Sequence, residues 1–101
     1  MNTAELEQYL DENSDVIKQF RAKCLEFQQE KNHGRQFAKR WNDAKVNRAV
    51  DKMVAQFVGS IRDNLSHAIK GKNDYKSWQL FIDENEVIEG LEESVMNLEF
   101  E

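Results

Sequence analysis

Apolar residues recur along this chain at helical rather than strand spacing. The first run is Leu6, Leu10, Ile17, Phe20, Cys24 and Phe27, with Asn13 standing where the series skips a turn. Steps of three, four and seven residues keep these positions on one face of an α-helix. Asn2, with Glu5 three residues on, forms a helix-start box, in which each side chain satisfies the other's free backbone N–H. Asn13 and Ser14 are capping residues, so the pattern predicts a short helix over about 3–12, a corner at 12–14 and a second helix over 15–31. Asn32-His33-Gly34 closes that helix, with Gly34 suited to the left-handed position that follows a helix end.

The next stretch opens at Arg35. Its core face is well marked from Val46 onward: Val46, Val50, Met53, Phe57, Ile61, Leu65 and Ala68. Lys45, Arg48, Lys52 and Lys70 project on the opposite side. Phe37 and Trp41 project near that basic stripe. Either the helix over 35–70 breaks at Asn42–Asp43, or the two rings serve a second contact. Lys70-Gly71-Lys72-Asn73-Asp74 reads as the clearest interhelical loop. Asn73 or Asp74 then caps a last helix over 74–99, with Trp78, Phe81, Ile82, Ile88, Leu91, Val95 and Leu98 as its apolar residues. Leu80-Phe81-Ile82 has strand composition but no partner strand, so it stays helical. Tyr9 to Asn13 followed by Val16-Ile17 echoes Phe81 to Asn85 followed by Val87-Ile88. Both segments predict helix, polar corner, helix.

The expected fold is therefore all-α: a compact antiparallel bundle of three main helices with a short N-terminal fourth, one domain over 1–101. The chain has no Pro and only four Gly, which disfavours the many turns of an all-β fold. Its 40% hydrophobic content argues against disorder.

Charge changes the picture, because it is sorted by position. Residues 1–17 carry five acids and no Lys or Arg; residues 18–76 carry all fourteen bases against six acids; residues 77–101 carry eight acids and no base. The net charge of −5 hides these opposed fields. Segregation of this kind suits pairing within the fold, a charged partner, or both. One cysteine cannot form an intramolecular disulfide, and no run approaches the ~18 apolar residues of a membrane span. The expectation is a cytoplasmic protein without a membrane partner.

Candidate chemistry is sparse. Asp11, Asn13 and Asp15 sit at the first, third and fifth positions of a calcium loop, but Val16 replaces the turn glycine and Ala22 the bidentate acid. Glu30-Lys31-Asn32-His33 is a Glu-x-x-His without a second copy, since Asn64 precedes His67 at that spacing. Cys24 lies on an apolar face between Phe20 and Phe27, which suits an inert buried thiol. No phosphate loop or nucleophile elbow occurs. The expectation is no enzyme, no cofactor and no metal.

Two charged surfaces remain. Glu86, Glu89 and Glu93 form a row on the last helix, away from Ile88, Leu91, Val95 and Leu98. Such a row can meet a basic surface on another protein and speed association. It points to a small non-enzymatic protein-binding or regulatory protein of the inhibitor, immunity or adaptor type. The alternative is a nucleic-acid-associated regulator using residues 31–52, with Arg35, Lys39, Arg40, Lys45, Arg48 and Lys52 on phosphates and Trp41 stacking on bases. A third reading is a structural homo-oligomer subunit, such as a homodimer joined through Phe37, Trp41 or Phe100. The plainer expectation for the basic stretch is a solvated helix face with both rings in the core. For the acidic tail it is packing against the chain's own basic middle.

Overall fold

Residues 1–69 and 74–100 are described in this computed structural model. They form helices α1 (Thr3–Asn13), α2 (Val16–His33), α3 (Asp43–Ala68), α4 (Tyr75–Glu84) and α5 (Val87–Met96), with a single 3-10 turn at Phe37–Lys39. Of the loop expected over 70–74, all but Asp74 lies outside the described residues.

Local chemistry explains most helix starts. Asn2 accepts from the Glu5 amide while Glu5 accepts from the Asn2 amide, at 2.8 and 2.9 Å. Loss of such a cap costs about 1 kcal/mol. Asn42 and Asp74 cap α3 and α4 in the same way, accepting from Lys45 and Ser77. At the first corner Ser14 Oγ accepts from the Val16 amide.

Of the two alternatives for 35–70, the break at Asn42–Asp43 is the one found: α3 begins at Asp43, and 35–42 form the connection to α2. Two expectations are corrected. The helix expected over 74–99 is two helices, parted at Asn85–Glu86, where Glu86 is left-handed with φ 51°. This is the polar corner that the echo with residues 9–17 foretold. Gly34 ends α2 at φ −74°, an ordinary helical value, so its left-handed freedom is not used.

The core gathers one stripe from each helix: Leu6 and Leu10 from α1, Val16, Ile17, Phe20 and Cys24 from α2, Val50, Val54, Val58, Ile61 and Leu65 from α3, Trp78 and Ile82 from α4, and Val95 from α5. Val54 and Val58, absent from the expected face of α3, are fully buried, whereas Met53 and Phe57 lie at its edge and Ala68 is exposed. The buried stripe is displaced because α3 packs against both α1 and α2.

The α2–α3 pair is an antiparallel hairpin and the most extensive contact in the fold. Phe20 meets Phe57 edge-on at 4.0 Å between ring centroids. Arg21 and Asp51 pair across the same seam at 2.6 Å. Both of these charges are largely exposed, so the pair contributes at most about 1 kcal/mol. The apolar seam carries the association.

Helix α5 packs on α2 and α4 packs on α5. Ile88 borders a groove with Tyr9 and Asn13, Val95 and Met96 border one with Gln19 and Lys23, and Phe100 reaches Phe20 and Phe27. Helix α5 therefore runs in the same sense as α2, a departure from a simple antiparallel bundle. The described chain measures 53 × 23 × 22 Å. Its length follows from the hairpin, since α3 alone spans about 39 Å at 1.5 Å per residue.

Candidate functional site

The far end of the hairpin, residues 32–45, is built around Asn32. Its side-chain amide donates to the Trp41 carbonyl at 3.0 Å and accepts from the Trp41 amide at 2.8 Å. This double bond pattern pins the connection back onto the end of α2. The same oxygen also accepts from the Arg35 guanidinium at 3.2 Å. Arg40 donates to the carbonyls of His33 and Arg35, placing a cation at the negative end of α2.

Trp41 is half-buried by cations rather than by the core. The Arg35 guanidinium lies 3.9 Å from its ring and the Lys45 ammonium 4.9 Å, contacts worth about 0.5–1 kcal/mol each near a surface. Phe37, on the 3-10 turn, is 86% exposed, with Arg40 as its cationic neighbour at 5.7 Å. Neither ring joins the core, which corrects the plainer expectation for them.

The structure thus brings Arg35, Lys39, Arg40, Trp41 and Lys45 together at one tip. Arg48 and Lys52 continue the basic stripe along α3, three and seven residues beyond Lys45 and opposite the buried valines. In the sequence Asn32 stands out only as part of a helix end. Its spacing of nine residues from Trp41 carried no recognisable signal.

The second surface lies on α5. Glu89 and Glu93 are exposed one turn apart on this helix, while Glu86 precedes it in the left-handed conformation. The expected row of three is therefore two residues on one helical face plus one at the corner. Glu92 joins Glu93 beside a groove of about 560 Å³ lined by Gln19, Lys23, Val95 and Met96. Met96 is 68% exposed at its edge. Lys23 is engaged with the end of this segment, donating to the carbonyls of Met96 and Leu98.

The acidic helix packs on α2, within the chain's basic middle, but does not dock on the basic tip. Among the described residues, none of Glu86, Glu89, Glu92 and Glu93 makes an ion pair. About 18 Å of continuous α2 separates the groove from the tip, taking 1.5 Å for each of some twelve residues. That exceeds the Debye length of about 8 Å at physiological salt. The acids of α5 and the bases of the tip are left essentially uncoupled within the molecule.

Other candidates carry little chemistry. Among the described residues no group of His, Cys, Asp and Glu is placed to hold a metal ion. His33 is exposed at the end of α2. Cys24 is fully buried, and burial pushes its thiol pKa up, against an opposing effect of Arg21. Burial likewise raises the pKa of Tyr9, helped by its hydrogen bond to Asp83 at 3.2 Å. No helix among the described residues is long and apolar enough to cross a membrane. Compared with known protein families, curated proteins and solved structures, the chain matches none of them.

Proposed function

We propose that this is a non-enzymatic binding protein of the inhibitor, immunity or adaptor type, whose partner is another protein met through the acidic α5 surface. The observation that carries this reading is that Glu86, Glu89, Glu92 and Glu93 stand exposed with no ion pair to a base among the described residues. A partner supplies the positive surface that the fold withholds. Such fields mainly raise the association rate, by tenfold or more at low salt.

The test begins with capture on the immobilised protein from nuclease-treated lysate of the native cell. Binding of the recovered protein is then compared for the wild type and the Glu86→Gln, Glu89→Gln, Glu93→Gln variant. The triple variant associates more slowly and with a flatter salt dependence. An unchanged association rate refutes the role of these acids.

A second reading, nucleic-acid binding at the hairpin tip, is favoured by the assembly of Arg35, Lys39, Arg40 and Lys45 around Trp41, with Phe37 exposed beside them. Phosphate contacts give strongly salt-dependent affinity, and an exposed ring stacks on an unpaired base. Lys45→Glu with Arg48→Glu then abolishes retention of a single-stranded oligonucleotide and leaves helical content intact. Retention indifferent to salt and to these substitutions refutes it.

A further inference from the structure

Two surfaces of this chain match each other yet cannot meet within one molecule. The hairpin tip is an apolar knob ringed by cations: Phe37 at the apex, with Lys39 and Arg40 beside it. The α2–α5 groove is the converse: Met96 exposed at its edge above the buried Val95, with Glu92 and Glu93 beside it. Phe37 and Met96 are two of the four large apolar side chains left exposed among the described residues, and one lies on each surface.

We propose that the tip of one copy seats in the α2–α5 groove of a second copy, with Phe37 against Met96 and Lys39 and Arg40 facing Glu92 and Glu93. This deepens the reading of α5 as a protein-binding surface and rests on it, naming the chain itself as a partner. Intramolecular closure is excluded by the rigid stretch of α2 between the two sites. Salt screens the fields across that distance, whereas direct apposition of two copies brings opposite charges within a Debye length.

Knob and groove are different patches, so the contact is heterologous and repeats head to tail. Successive copies form a ring or an open chain rather than a two-fold dimer. One aromatic knob with a charged rim makes a small interface, at the weak and transient end of the size range. Among the described residues, Lys23 is the one cation bordering the groove. Its bonds to the Met96 and Leu98 carbonyls hold it at the helix end.

The test is sedimentation equilibrium of the purified chain from micromolar to millimolar concentration at low salt. The wild type shows an average mass that rises with concentration beyond the dimer, and added salt reverses the rise. Phe37→Ala removes the knob; Glu92→Lys with Glu93→Lys reverses the rim of the groove. All three positions are exposed, so circular dichroism of both variants matches the wild type. Each variant alone loses association by about tenfold or more, the effect of an interface anchor.

Mixed together, the two variants form a one-to-one complex that grows no further. The Phe37→Ala chain still offers a groove, and the Glu92→Lys, Glu93→Lys chain still offers a tip. A wild type that stays monomeric at millimolar concentration overturns the proposal, as does association unaffected by both variants. A monomeric wild type that binds a single-stranded oligonucleotide through Phe37 also overturns it, by giving the tip another occupant. A monomer that still binds a basic protein through Glu86, Glu89 and Glu93 overturns the self-pairing alone and leaves the broader reading standing.

Discussion

Asn32 offers the sharpest test of how the tip is held. Replacing it by Ala deletes both hydrogen bonds to the Trp41 backbone and the one accepted from Arg35. Two backbone-directed bonds at about 1 kcal/mol each give a loss of about 2 kcal/mol. Asp keeps the acceptor for the Trp41 amide but sets an oxygen against the Trp41 carbonyl, so about half or more of that loss remains. The tip lies beyond the main core cluster, so the change acts on a local opening rather than on global unfolding.

Native-state hydrogen exchange separates those two effects. The amides of Lys39 and Arg40 donate to the carbonyls of Gln36 and Phe37, bonds the substitution leaves chemically intact. Their exchange reports only whether the connection stays closed. A loss of about 2 kcal/mol speeds exchange about thirtyfold, since 1.4 kcal/mol is tenfold. Core amides such as those of Val54 and Val58 keep the wild-type rate. Lys39 and Arg40 exchange that stays within about threefold of wild type would refute the keystone role of Asn32. Equal acceleration throughout the core would show instead that the tip and the core unfold as one unit.

Three further outcomes follow from particular contacts. Gln28 is buried, its amide nitrogen 3.3 Å from the Met53 sulfur and its side-chain oxygen without a hydrogen-bond partner; Gln28→Met removes that orphan acceptor and raises stability by about 1 kcal/mol in urea unfolding, whereas a drop would mean the oxygen is satisfied. Gly59 and Gly90 lie within α3 and α5 with open space where a Cβ would stand; Ala at each raises stability by about 0.5–1 kcal/mol through helix propensity, and a fall in melting temperature would contradict the open space. The raised pKa of Tyr9 means that the unfolded chain loses this proton first, so stability falls as pH rises past about 10, the unfolded value, and on through the folded one; Tyr9→Phe loses the bond to Asp83, costs about 1 kcal/mol at neutral pH and flattens that alkaline slope in pH-dependent melting curves.

Much of the local structure was legible in the chain. The capping box at Asn2 and Glu5, the corner at Asn13–Ser14, the cap at Asn42 and the burial of Cys24 all depend on residues close in sequence. So does the corner after Glu84, which the echo of the two segments marks although the apolar spacing alone runs one helix through it. Helix capping and amphipathic spacing are short-range physics, and one sequence suffices to read them. The charge segregation is equally a property of the sequence.

Tertiary packing decided the rest. Contact with both α1 and α2 rotated the buried stripe of α3 onto Val54 and Val58. Packing of α5 along α2 set the acidic segment against part of the chain's basic middle, with Lys23 on the Met96 and Leu98 carbonyls, but left its acids far from the basic tip. Apolar burial of Val95 and stacking of Phe100 on Phe20 and Phe27 outweigh a screened attraction between exposed charges. Asn32 meets Trp41 only because α2 stops, the chain turns and α3 starts one cap later. The sequence by itself determined helices, caps and opposite fields. The three-dimensional arrangement determined that the acids of α5 and the basic tip stand apart, because close apolar packing is specific and outweighs an attraction that salt screens beyond about 8 Å.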